Sequence, residues 1–526
     1  MGARDRTFDV PALSRAWLEP ADPVAATPGV RYLMLVGSLA LVLRLWRLDA
    51  MSLWVDEVFT WELVAPGRGF RFVPHILAAY QGPLYHAAVW PLVRLQDSAF
   101  LLRLPAAVAG VLAVPCLGVF TARLWGRQAG RLAALLLAVS PFAIWYSQEA
   151  RGYSFLILFA VAAGIVLVDA LRLGITRGRA VALALLGFGG LGSNFAFVFL
   201  LAAFALTVAA IARPQRPGQW LWWAIACGGG FVLAAPWLLE AAGIWEVGRV
   251  IPGTATGEAL RGSTTFDPWA LPFTGFALFY GFSLGPSLAD LHGADPLAAV
   301  RANLPVIGAG VVAAAAALLP ALARLDRRRW VVALWVVVPL LGVVLLAVRN
   351  VKPYNVRYAA TVFPWLLALT AAGIGRYGRR GRAIVSVALL ALCGASLAGY
   401  YGQDRYAKED VRGAVAALDP REAPGRPILA PTVGPVVRHY WRGRGPVLGC
   451  WDEPQVRDAA MADRLVARQL GDHDSAWIVT ARPWFQDPQR LLPDALARAG
   501  TLERIHDGPG VAVDLWRRRG DPGGAP

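Results

Sequence analysis

The chain has 526 residues, 57% of them hydrophobic and 16% charged. An ordinary soluble domain carries about a quarter charged residues. With a mean hydropathy of +0.49, the apolar surface is too large for one globular core. The net charge of +16 would suggest nucleic acid in a soluble protein. Here the arginines gather in short clusters between apolar runs, where loops facing an anionic leaflet carry them, and nucleic-acid binding is rejected.

In chain order, residues 1–29 are polar and Pro-containing and read as a cytoplasmic lead. The run 30–48 is too long and too Arg-flanked for a cleaved signal, so it is expected to stay as a first span. Further runs lie at 103–123, 131–147, 152–172, 179–194, 195–212, 218–239, 303–323, 330–348, 358–375 and 382–400, each near the length of a tilted spanning helix. Every second connection is basic. Arg123, Arg127 and Arg131 form one cluster, followed by Arg172, Arg177 and Arg179, then Arg213 and Arg216, then Arg324 with Arg327 to Arg329, then Arg376, Arg379, Arg380 and Arg382. Those loops are expected to be cytoplasmic. The N-terminus is then inside and the tail outside, in the inner or plasma membrane of the cell.

Two apolar stretches, within 72–95 and 270–287, are broken by Gly82-Pro83, Gly281 and Gly285-Pro286. They are assigned to long outer loops, 49–102 and 240–302, lying at the interface or re-entering, which is tolerated only beside protein or a wet cavity. Residues 401–526 gain charge, and short apolar runs alternate with helix-like stretches, as in a small extracytoplasmic α/β domain. The expected architecture is thus an α-helical polytopic membrane protein of about eleven spans, 30–400, with that domain appended. Three of the four cysteines lie in apolar runs and only Cys450 in the tail, so no disulfide framework or metal-spaced cluster can be built.

The sharpest chemical feature is Ser52-Leu53-Trp54-Val55-Asp56-Glu57, just past the first span. Adjacent carboxylates at a membrane boundary are costly unless paired or used, and one poised there could deprotonate an acceptor hydroxyl. A solvated pair capping the next helix is the alternative. Ser147-Gln148-Glu149-Ala150-Arg151-Gly152-Tyr153 falls on the same face. Arginine suits phosphate through its planar fork, and a loop ion pair is the alternative. Arg103 opens the second span on the outer side, against the positive-inside bias, where a phosphate partner and snorkelling compete as explanations. Further outer-face polar residues are Gln81, Tyr85 and His86, then Asn194, then Lys352, Tyr354, Asn355 and Arg357. Their shared sidedness is stronger than any one of them.

These blocks resemble the GT-C superfamily, in particular the glycosyltransferase 39 or protein mannosyltransferase-like group that includes the aminoarabinose transferases. The resemblance rests on Leu53-Trp54-Val55-Asp56-Glu57, on Gly82-Pro83-Leu84-Tyr85, on Arg103-Leu104-Pro105-Ala106-Ala107 with Gly110, and on Ser140-Pro141 leading to Gln148-Glu149-Ala150-Arg151. Asn355, Arg357 and Tyr358 ahead of Pro364, and Tyr406-Ala407-Lys408-Glu409-Asp410 with Arg412, are similar to its later segments. It implies an inverting transfer of a sugar from a polyprenyl-phosphate carrier at the outer membrane face, to a protein, lipid or glycan acceptor. It implies Asp56 as general base or acceptor-orienting carboxylate, with Glu57 beside it, and Arg103 near the lipid phosphate or the carboxylates. Arg151, Arg357 and Lys352 join Arg103 as candidate phosphate ligands. Glu149, Tyr153, Gln81, Tyr85, His86, Asn194, Tyr354 and Asn355 are candidate pocket residues. Because arginine can neutralise the leaving phosphate, no cofactor is required, although Asp56 and Glu57 could hold a divalent cation. Gly82 in place of the first proline of Pro-Pro-Leu-Tyr, and Ser193-Asn194-Phe195 where many relatives show Thr-His-Tyr, depart from the pattern, so sugar identity is not carried over.

Three rivals remain. A transporter or flippase would show functional charges within spans and repeat symmetry. A ligase or polymerase would use lipid-diphosphate glycans. A scaffold would tolerate substitution of Asp56 and Arg103.

Overall fold

The computed structural model describes residues 27–67, 82–212, 218–244, 266–293, 295–323, 326–349, 354–418, 424–449 and 456–519. Each apolar run becomes helix, as the absence of backbone partners in lipid demands. The principal helices are α1 (Val30–Leu45), α2 (Val55–Val64), α3 (Pro83–Leu95), α4 (Ala99–Trp125), α5 (Arg127–Ala138), α6 (Pro141–Ser147) and α7 (Tyr153–Leu173). There follow α8 (Arg177–Ser193), α9 (Phe197–Ile211), α10 (Gly218–Ile244), α11 (Ala270–Tyr280), α12 (Leu304–Leu322) and α13 (Arg327–Val348). A 3-10 turn, Val356–Thr361, leads into α14 (Phe363–Ile374), and α15 (Arg379–Gly402) ends the bundle.

Among the described residues six of these helices are long and apolar enough to cross a membrane: α4, α7, α10 up to Leu239, α12, α13 and α15. A seventh is the pair α5 and α6, bent by 53°. The chain is a multi-pass membrane protein. Of the eleven runs expected to span, four fall short of that length. The helices α1, α8 and α9 have 16, 17 and 15 residues, and the run 358–375 is divided between the 3-10 turn and α14. The two stretches assigned to loops give helices of 13 and 11 residues, α3 and α11, too short to cross at 1.5 Å per residue. Residues 68–81 and 245–265 lie outside the described residues.

The bend between α5 and α6 has a visible cause. Ser140 accepts from Ala143 N at 3.2 Å and Pro141 opens α6, so α5 must end before them. Its last carbonyls would be orphaned in the bundle interior. Arg44 of α1, fully buried, donates to Leu137 O at 3.0 Å, Ala138 O at 3.0 Å and Ser147 Oγ at 3.2 Å. Gly110 of α4 makes room, since a Cβ there would stand 2.1 Å from Ser147 Oγ and 2.9 Å from Arg44 Nε.

After α15 the chain forms α16 (Val411–Ala416), β1 (Ile428–Leu429), α17 (Gly434–Tyr440), β2 (Val447–Leu448), α18 (Ala459–Leu470), β3 (Ser475–Ala481), α19 (Leu491–Ala499), β4 (Gly500–Gly508) and β5 (Val511–Arg518). The sheet order is β2-β1-β3-β5-β4. Strand β1 is parallel to β2 and β3, and β5 is antiparallel to β3 and β4. One face packs on α18 and α19 through Ile478, Trp516, Leu465 and Leu496. The other shares a hydrophobic cluster with the bundle: Trp477, Val479 and Val513 join Leu53, Val58, Val89 and Leu102. The sheet is therefore seated on the helices that carry Asp56.

Candidate active site

Trp54 precedes α2, which places Asp56 and Glu57 in its first turn, where exposed N–H groups favour negative charge. The two carboxylates then part company. Glu57 is fully buried, and the Arg103 fork grips it from Nε to Oε1 and from Nη2 to Oε2, both at 2.7 Å. Ala150 N donates to Glu57 Oε1 at 2.8 Å and Trp54 N to Oε2 at 3.3 Å. Burial alone would raise its pKa. Arg103, Lys408 and these hydrogen bonds outweigh it and hold the carboxyl at about 2.

Of the two places expected for Arg103, near the lipid phosphate or beside the carboxylates, the structure shows the second and corrects the first. Its remaining N–H groups donate to Leu48 O, Met51 O and Ser52 O at 2.9, 3.1 and 3.0 Å. A guanidinium has five donors, and all are spent inside the protein, so none is left for a lipid phosphate. Glu57 with Arg103 fixes the 48–57 segment; it does not present a reacting carboxylate.

Asp56 keeps an accessible edge, 15% exposed. Arg357 Nη1 donates to its Oδ2 at 2.5 Å and Arg151 Nη2 stands 3.5 Å from the same oxygen. Arg151 is held by Asp56 O at 3.2 Å. Burial would push the Asp56 carboxyl up, but Arg151 and Arg357, with Arg482 behind them, hold it at about 2. Glu149 has the opposite balance. It is buried, its Oε2 lies 3.6 Å from Lys408 Nζ, and Lys408 Nζ lies 3.6 Å from Glu57. Burial raises its pKa, and Lys408 only partly opposes this.

Several buried polar atoms here lack a hydrogen-bond partner: Glu149 Oε1, Lys408 Nζ, Arg357 Nε, Trp54 Nε1 and His86 Nε2. Such a group needs explanation, and a polar ligand would supply it. His86 Nδ1 lies 3.2 Å from Gly82 O, and burial followed by Arg151 lowers the ring's pKa to about 4, so it is neutral at pH 7. A cavity of about 260 Å³, bordered by Arg47, Ser52, Gln148, Tyr400 and Asp410, reaches Lys408.

Other expected pocket residues have contacts within the protein. Tyr85 OH donates to Leu102 O at 2.6 Å, and Tyr153 stacks edge-on against Tyr146 at 4.9 Å. Asn194 accepts from Ala196 N at 2.9 Å in the turn after α8. Asn355 caps the 3-10 turn through Arg357 N at 3.1 Å, and Tyr354 OH pairs with Thr274 at 2.9 Å. Gln81 and Lys352 lie outside the described residues. Among the described residues no three His, Cys, Asp or Glu side chains are grouped to hold a metal.

Sequence reasoning missed Trp54, Lys408 and Arg482 as site members. Trp54 and Lys408 lie inside the blocks that carry the resemblance, which was the signal available for them, whereas Arg482 lies in a domain without an assigned motif.

With this geometry in place, the likeness to known proteins is informative. Residues 81–239 match the family model described as dolichyl-phosphate-mannose-protein mannosyltransferase. That stretch includes Arg103, Glu149 and Arg151 but begins after Asp56. The structure resembles ArnT from Cupriavidus metallidurans in the apo state, at 14% identity and TM-score 0.52, over 92% of this chain and 98% of that one. It also resembles the Archaeoglobus fulgidus oligosaccharyltransferase in the apo form, at 13% identity and TM-score 0.52, over 90% and 73% of the two chains. AglB from the same organism, in complex with an inhibitory peptide and a dolichol-phosphate, gives 12% identity and TM-score 0.51 over 92% and 74%. A comparison with curated protein sequences finds no match. The chain shares the fold of these membrane proteins. Over residues 81–239 its sequence resembles the dolichyl-phosphate-mannose-protein mannosyltransferase family.

Proposed function

We propose that this protein is an inverting glycosyltransferase that moves a sugar from a polyprenyl-phosphate carrier to an acceptor at the outer face of the membrane. The observation that carries the reading is Asp56, an accessible carboxylate set between Arg151 and Arg357 among unpartnered buried polar atoms. The acceptor oxygen attacks the anomeric carbon, the bond from that carbon to the phosphate oxygen breaks, and the acceptor proton passes to Asp56. The lipid monophosphate leaves with both electrons of the broken bond. Arg151 and Arg357 neutralise it, an electrostatic contribution often worth a few kcal/mol.

The same arginines tie binding to basicity. While they pair with Asp56 they keep it a weak base. A phosphate that draws them away raises its affinity for the proton when the acceptor is present. The dolichol-phosphate in the AglB complex is consistent with a carrier of this kind. Arg44, fully buried in the last turn of α1, is committed to backbone carbonyls, which does not favour the transporter reading.

The test is transfer by full-length protein in proteoliposomes, with a panel of polyprenyl-phosphate-linked sugars and release of polyprenyl phosphate as the readout. Asp56→Asn is expected to lower the rate at least 100-fold, the upper range being about 10⁴-fold for lost acid–base help. Undiminished release by that variant, at equal expression, would remove Asp56 from the reaction.

A further inference from the structure

Four cations, Arg103, Arg151, Arg357 and Lys408, meet three carboxylates, Asp56, Glu57 and Glu149, in one ion-pair network. One cation is in surplus. Beside this network a second arrangement centres on the ring of Trp54. Arg357 Cζ stands 5.8 Å from the ring centroid, Lys408 Nζ 5.8 Å and Arg482 Cζ 5.0 Å. The three come from different parts of the chain: the turn before α14, the link into the C-terminal domain, and the end of β3.

Like charges around one indole repel unless anions hold them. Asp56 holds Arg357, Glu57 and Glu149 flank Lys408 at 3.6 Å, and Glu409 holds Arg482 through Nε, which leaves the far end of the Arg482 fork for other partners. Lys408 Nζ and Arg357 Nε have no hydrogen-bond acceptor, and Trp54 Nε1 is a buried donor without one. One surplus cation and three donors without acceptors describe a site with room for a further anion. Arg482 is also held at φ 45° and ψ 53°, in the left-handed region, immediately before Pro483. A non-glycine residue rarely rests there, and such conformations cluster at ligand sites.

From this we infer that the C-terminal domain is part of the donor site: Arg482 and Lys408 join Arg357 around Trp54 to bind the phosphoryl group of the lipid carrier. This rests on the polyprenyl-phosphate reading above and assigns it residues that the membrane bundle alone does not contain. Arginine is suited to the task because its fork can stay stacked on an aromatic ring while its edge meets phosphate oxygens. The ion pair with Glu409 orients it, and Arg482 already acts on Asp56 electrostatically.

The experiment is a binding titration of full-length detergent-solubilised protein with undecaprenyl phosphate, with inorganic phosphate as a parallel probe. Arg482→Met and Lys408→Met are each expected to weaken lipid binding about tenfold or more, and Arg482→Lys to restore it in part. Arg498→Met is the control, since Arg498 pairs with Asp463 on the far side of the sheet. It is expected to bind as the wild type does. The thermal midpoint of each variant separates lost contact from lost folding. Wild-type affinity in Arg482→Met, with Arg357→Met impaired, would overturn the inference and leave the donor reading standing. No binding of undecaprenyl phosphate by the wild type would overturn both. Inorganic phosphate bound as tightly as the lipid, with the same dependence on Arg482, would make this a free-phosphate site and overturn the assignment to the carrier.

Discussion

Removing one member of a fully buried ion pair strands the other without water or partner, at a cost of about 3–5 kcal/mol. Glu57→Gln and Arg103→Met are each expected to lower the thermal midpoint by many degrees, whereas Asp56→Asn, at the accessible edge, is expected to lower it by less. Differential scanning fluorimetry on the three variants checks this. The pH response separates the carboxylates again. Asp56 and Glu57 are held at about 2, below their unfolded values, so their contribution to stability is complete above about pH 4.5. It is lost as pH falls toward 2. Glu149 is shifted upward and takes a proton first on acidification; its ionised form opposes folding as pH rises. Infrared titration is expected to show a protonated-carboxyl band that appears first and is absent in Glu149→Gln. The adjacency of Asp56 and Glu57 is plain in the sequence, but their division of labour is not. It depends on which arginine reaches which oxygen, and those arginines are supplied by α4, the α6–α7 turn and the turn before α14.

Helices were easier to read than their breaks. The eleven apolar runs are all helical because lipid leaves the backbone no other way to satisfy itself. Run 131–147, by contrast, is two helices meeting at Ser140-Pro141. The Ser-Pro pair was visible in the sequence. What could not be seen is that Arg44 comes from another helix to cap the freed carbonyls. Arg44→Met is therefore expected to destabilise the protein by leaving Leu137 O and Ala138 O unpartnered, at about 1–3 kcal/mol per buried group. Gly110→Ala is expected to do so by intruding on Ser147 and Arg44. Thermal unfolding in detergent, with Gly308→Ala as a control at a position open to its surroundings, measures both.

At the scale of the whole molecule, the tail does more than follow the bundle. Ser52 Oγ donates to Asp410 Oδ1 at 2.8 Å, Leu53 N donates to Tyr440 OH at 2.8 Å, and Arg412 Nη2 donates to Ala50 O at 2.5 Å. The segment that leads to Asp56 is thus gripped by residues from beyond α15. A chain ending at residue 402 is expected to insert into membranes yet show no transfer, and to expose position 52 to modification that the full chain resists. Activity assays and cysteine labelling at that position would show it. The rise in charge and the alternation of short apolar runs with helix-like stretches made an α/β domain the expectation for the tail. The shared cluster of Leu53, Val58, Trp477 and Val513 could not be foreseen, because hydrophobic periodicity says that a face is buried and not what buries it.

Asp56 and Arg357 are 301 residues apart, and Arg482 comes later still. Proteins are made from the N-terminus at about 5–20 residues per second, so the acidic turn leaves the ribosome tens of seconds before its last cationic neighbours. On the reading proposed above, the growing polypeptide is catalytically dormant throughout that interval. A carrier lipid that met a half-synthesised copy would find no assembled centre at which to lose its sugar, and competence would arrive only with Arg357 and Arg482 in place.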